Sequence, residues 1–86
     1  MSESICGVII DDCRASTVAE VMTELKSATL MHGPMHSAHE GYSVLHEELD
    51  ELWDEVKTKH RSVARMRSEA IQVAAMALRF IEDVCK

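Results

Sequence analysis

Apolar residues recur along this chain in three blocks at helical spacing, separated by short polar breaks. In the first block Val18, Val21, Met22, Leu25 and Thr29 share one face, which predicts a helix from Val18 to Met31. Ser16 and Thr17 are its N-cap candidates, because a hydroxyl oxygen can accept from the free amides of a first turn. His32-Gly33-Pro34 stops the helix: Gly supplies the left-handed cap and Pro cannot continue the ladder. A second helix is expected from near Ser37 to about Lys59, with Leu45, Leu49, Leu52, Trp53 and Val56 as its apolar stripe. A third begins near Ser62 or Ser68 and runs to about Val84. Its middle, Ala70 to Leu78, is apolar on nearly every side except at Gln72, and a helix apolar all round is a buried one.

Residues 1–14 show no clean period, and Val8-Ile9-Ile10 suits a helical or an extended arm equally. The domain proper is therefore expected over residues 15–86, as an all-α bundle of three main helices. A chain of 86 residues buries only a modest core. Its amphipathic helices would share their faces with further copies, so completion as a homodimer or homotetramer is expected.

Composition narrows the function. The chain carries 15 acids against 9 Lys and Arg, a net charge of -6, which argues against a nucleic-acid footprint. Hydrophobic residues make up 47% of it, too many for a disordered tail, and three Gly with one Pro supply too few corners for an all-β fold. No apolar run approaches the roughly 18 residues of a membrane span, and no secretory leader pattern opens the chain. Cys6, Cys13 and Cys85 are an odd set without C-x-x-C spacing, which fits free thiols in the cytoplasm.

The acids are not spread evenly. Seven lie between residues 40 and 55. At about 100° per residue from Leu45, the apolar stripe spans about -20° to +80°. Glu48, Glu51 and Glu55 fall near -60°, -120° and -80°, along its edge, whereas Glu47, Asp50 and Asp54 point away. Two carboxylates about 6 Å apart repel by roughly 3 kcal/mol at an effective dielectric near 20. A hard divalent cation offsets that repulsion, and oxygen-only ligands suit Mg²⁺ or Mn²⁺. A solvated acidic face is the ordinary alternative. The third helix weighs against it, because Glu69 borders the most apolar segment of the chain, where an unpaired charge is costly. Glu69, Gln72, Arg79 and Asp83 form one polar seam down that helix. If the two helices pack antiparallel, the seam faces the acidic ribbon, and carboxylates converging from facing helices are an established way to hold a metal in a bundle.

The stretch Leu45-His46-Glu47-Glu48-Leu49-Asp50-Glu51-Leu52 resembles the L-x-E-E-x-x-E-L signature of the MazG-like all-α nucleoside-triphosphate pyrophosphohydrolases. In that family E-x-x-E on one helix is followed by E-x-x-D on the next. Glu48 and Glu51 match the first pair, and Glu69 matches the first acid of the second. The segments from His32 to Tyr42 and from Gln72 to Ala77 are also similar to a compact subgroup, so the resemblance covers roughly residues 17–84. It departs at Gln72, which stands where the family has aspartate; Asp83, Glu55 or a partner subunit are the candidates for the missing carboxylate.

The resemblance implies Mg²⁺-dependent hydrolysis of a nucleoside triphosphate to the monophosphate and pyrophosphate. Glu48, Glu51 and Glu69 are then the catalytic metal ligands, with Gln72 as a weak ligand or water-positioning group. Arg79, Lys57 and Lys59 are candidate phosphate contacts; Glu47 is a general-base candidate at the wrong azimuth. The competing reading is a non-catalytic helical interaction protein whose acidic face meets a basic partner. His32, His36 and His39 cluster, but no third ligand at a recognised spacing supports zinc, so they are expected to line the site mouth or the loop.

Overall fold

The computed structural model describes residues 12–86. Three helices account for most of them: α1 (Asp12–His32), α2 (Ala38–Val56) and α3 (Val63–Val84). No described helix is long and apolar enough to cross a membrane. The arm expected over residues 1–14 lies almost wholly outside the described residues, and 12–14 belong to α1.

Helix starts follow hydroxyl caps, with one correction. Ser37 caps α2 by accepting from the Glu40 amide at 3.0 Å, and Ser62 caps α3 by accepting from the Arg65 amide at 3.2 Å. Glu40 adds a second contact at the first of these ends, its Oε1 accepting from the His36 amide. Ser16 and Thr17 are not caps: α1 already runs at Asp12. Thr17 instead donates to the Cys13 carbonyl one turn back, as Thr23 does to Ala19, which is how hydroxyl residues sit inside a helix.

The ends are equally local. Gly33 takes φ +68°, the left-handed region open to glycine, and its amide donates to the Thr29 carbonyl, closing α1. α2 stops at Val56, three residues before the expected end. The Lys57 amide closes its last turn on Trp53, while Thr58 and Arg61 side chains take the Asp54 and Val56 carbonyls.

α3 lies between the other two helices, and α1 and α2 do not pack on each other. Bonds from Glu20 to Arg67 and from Gly33 to Arg79 set α1 parallel to α3. Gly41 against Phe80, with Glu48 and Glu51 against Glu69, sets α2 antiparallel to it. Leu25, Ala28, Met35, Ala75 and Met76 form the buried core, and Val21, Val44, Leu45, Leu78, Phe80 and Val84 pack around it. A Cβ on Gly41 would stand 2.6 Å from Phe80 Cδ2, so glycine is what lets α2 approach α3 this closely.

That approach turns α2 away from the expected orientation. Its inner face is Gly41, Val44, Leu45, Glu48, Leu52, Glu55 and Val56, centred roughly 70° round the helix from the apolar stripe. Leu49 and Trp53, both in the stripe, remain more than half exposed. The acids Glu48 and Glu55 are thereby carried into the contact with α3 rather than left at its border.

Candidate metal centre

Glu48 and Glu51 stand one turn apart on α2, and Glu69 meets them from the first half of α3. One carboxylate oxygen from each lies within 4.8 Å of the others. Among the described residues this is the one group of three or more acidic, His or Cys side chains placed to share an ion. The two helices do pack antiparallel, the condition on which the sequence reading brought the seam to the acidic ribbon, and that packing produces the set.

The site is under electrostatic load. Glu48 and Glu69 are half-buried, and Glu48 Oε2 and Glu69 Oε1 are inaccessible to water without any hydrogen-bond partner. Burial is the first reason that the Glu48 carboxyl is held above the usual carboxylate range; the charges of Glu51, Glu69, Glu47 and Glu24 push the same way. Burial also raises Glu69, followed by the charges of Glu51 and Glu55. Convergent oxygens with buried, unpartnered lone pairs suit a hard divalent ion such as Mg²⁺ or Mn²⁺.

The remaining residues of the polar seam separate into two groups. Gln72 is half-buried one turn beyond Glu69, with no side-chain hydrogen bond among the described residues. Arg79 is 4% exposed; its Nη2 donates to the Gly33 carbonyl and its Nη1 contacts Met76 Sδ at 3.3 Å. Asp83 Oδ2 accepts from the Met35 amide at 2.9 Å. Asp83 therefore does not supply the missing carboxylate: it is committed to the α1–α2 loop, about 21 Å of helix away from Glu69. Of these two candidates, Glu55 is the one whose charge acts on Glu69, after that of Glu51. Lys57 is exposed at the end of α2, 3.2 Å from Asp54, and Lys59 is exposed beyond it.

Glu24 was absent from the sequence-based set of acids, yet its charge reaches Glu48 from α1. The signal was present: Val21, Glu24, Leu25 and Ala28 follow helical spacing, and all four are withdrawn from full exposure. Glu24 also borders a groove of about 570 Å³ between α1 and α3, whose far wall includes Arg67 paired with Glu20. The histidines make local contacts, His36 with Glu40 at 3.4 Å and His46 with Asp50 at 3.5 Å, while His32 borders a second cavity. Cys13 and Cys85 are free and exposed.

Comparison with known proteins adds no identity: no family profile, curated protein or solved structure matches this chain.

Proposed function

We propose that the protein is a Mg²⁺-dependent nucleoside-triphosphate pyrophosphohydrolase of the MazG-like kind, acting as a homo-oligomer. The observation that carries this reading is the convergence of Glu48, Glu51 and Glu69 within 4.8 Å, two of them with buried oxygens lacking a partner. Glu48 and Glu69 hold the ion from two helices, and exposed Glu51 closes the set on the solvent side. A divalent ion there neutralises polyphosphate charge and lowers the pKa of a water. Glu47, Glu24 and Glu55 surround the set and keep the site acidic, so it favours the cation strongly over any bare anion. Gln72 brings a neutral carbonyl one turn along α3, which orients a ligand or a water without adding charge.

The test is pyrophosphate release from each of the common ribo- and deoxyribonucleoside triphosphates with Mg²⁺ or Mn²⁺, beside Glu51→Gln. Metal-dependent release that this substitution abolishes supports the reading. No release from any triphosphate, with melting indifferent to the metal, sinks it.

One observation favours the competing interaction-module reading. Tyr42, Leu49 and Trp53 form an exposed stripe on α2 beside the acids, 65%, 51% and 57% exposed. Aromatic anchors rimmed by charge are what a protein interface uses. The same stripe serves a second copy of this chain in the oligomeric hydrolase, so the metal response, rather than the stripe, separates the two.

A further inference from the structure

We propose that Glu24 is a positioning residue of the carboxylate centre, reaching from α1 to hold a water of the divalent ion that Glu48, Glu51 and Glu69 bind. This rests on the reading of that set given above and brings a third helix to it.

The register of the helices places Glu24 there. Glu20 pairs with Arg67 and α1 runs parallel to α3, so Glu24, one turn on, stands level with Ile71. Gly41 faces Phe80 and α2 runs antiparallel, so Glu48 stands level with Val73 and Glu51 with Ala70. Gln72 therefore shares one layer with Glu24 and Glu48, within about 1.5 Å of axial rise from each.

Rotation about α3 agrees with the register. With Glu69 at zero, α2 meets α3 at about 0° to 20°, at Glu69 and Phe80. α1 meets it roughly 100° to 200° round, at Ser68, Ala64, Ile71 and Arg67. Gln72 falls at about 60° in the same sense, on the floor of the valley between the two outer helices. Glu24 borders the groove of about 570 Å³ whose α3 side includes Ser68 and Ile71, the chain neighbours of Glu69 and Gln72. Across that floor the charge of Glu24 acts on Glu48.

The chemistry of Glu24 suits an ion's outer shell. It is half-buried and makes no hydrogen bond or ion pair among the described residues, unlike Glu20 one turn back. It is not one of the three acids whose oxygens lie within 4.8 Å of one another, so it meets the ion through water. Mg²⁺ takes few carboxylates directly and keeps several waters, and a carboxylate that accepts from such a water orients it and strengthens binding. Gln72, in the same layer, brings no charge that could do this from the floor.

The test is Mn²⁺ binding to the full chain, read from the EPR signal of the free ion, with thermal melting in EDTA beside it. Glu24→Gln should raise the Mn²⁺ Kd about 10-fold or more, while melting in EDTA holds or rises because a repelling charge has left. A merely structural residue would instead lower melting in EDTA. Adding Gln72→Asp should return the Kd to within about threefold of wild type, since a carboxylate on the floor supplies what α1 no longer does. Glu47→Gln removes a charge that also acts on Glu48 but stands exposed on α2, and should change the Kd less than about threefold. Should Glu24→Gln not fold, Glu24→Asp keeps the charge, shortens the reach and should also weaken binding. An unchanged Kd, a loss matched by Glu47→Gln, or no recovery with Gln72→Asp overturns the assignment and leaves the three-carboxylate centre standing. A wild type that binds no Mn²⁺ overturns both. Weaker binding by the variant of a protein that releases no pyrophosphate supports Glu24 and removes the hydrolase.

Discussion

Glu48→Gln should stabilise the metal-free protein and destroy its response to metal. The substitution keeps shape and removes one charge from three that lie within 4.8 Å of one another. At that separation each like-charge pair costs about 3 kcal/mol at an effective dielectric of about 20. Glu48 is only half-buried, so solvent screens much of this, and a net gain of about 1 kcal/mol is the expected size. For a domain of this length that raises Tm by roughly 4–8 °C in EDTA. With Mg²⁺ at 100 times its Kd, the wild type gains about 2.7 kcal/mol by mass action. The variant, short of one ligand and one charge, gains far less, so the order of the two melting curves reverses between EDTA and Mg²⁺. Differential scanning calorimetry in the two buffers reads both effects. A variant that melts below the wild type in EDTA would show that the carboxylates do not repel one another as placed, and the argument for an ion would fall with it.

Other outcomes follow from the same contacts. The raised carboxyls of Glu48 and Glu69 mean that the native state binds protons more tightly than the unfolded chain; metal-free stability should therefore rise as pH falls from neutral through their raised pKa values and level off below the ordinary 4.5, and a thermal scan in EDTA showing the opposite slope refutes it. Gly41→Ala should cost about 1–3 kcal/mol by overpacking against Phe80, measured by urea unfolding, with partial recovery in the Gly41→Ala, Phe80→Leu double variant. Leu49→Ser with Trp53→Ser should lower the sedimentation coefficient to that of a monomer, because both side chains stand largely outside the chain's own core; an unchanged coefficient removes the stripe as a subunit contact.

Helix number, the start near Ser37 and the Gly33 stop were legible because each depends on residues within one turn, whereas two serines, Ser62 and Ser68, fitted the start of α3 and the structure uses Ser62. The start of α1 was not, since a hydroxyl bonded back to the previous turn looks in sequence like a hydroxyl at a cap. The rotation of α2 was missed for a different reason. Its apolar arc is wider than the strip that α3 covers, so counting hydrophobics locates the arc but not the contact line. Gly41 marks that line: it sits at the centre of the buried face, where the absence of a side chain lets Phe80 in. The convergence of Glu48, Glu51 and Glu69 could be read from two helical wheels and an antiparallel guess. Glu24 could not be joined to them without knowing that α1 packs on α3.

The backbones of α1 and α2 each pack on α3 and not on one another, which has a mechanical consequence. Apart from the shared core side chains and the charge of Glu24 on Glu48, coupling between the outer helices passes through α3, the common shaft of two leaves. Amide exchange should register this as a gradient, slowest around Ala75 and Met76 and fastest at the outer turns of α1, where every residue from 12 to 20 faces solvent. One leaf can then loosen while the other keeps its grip. Arg79 and Asp83 fasten the Gly33–Met35 turn to the end of the shaft, so loosening of α1 begins at its far, solvent-facing end and travels toward that clasp.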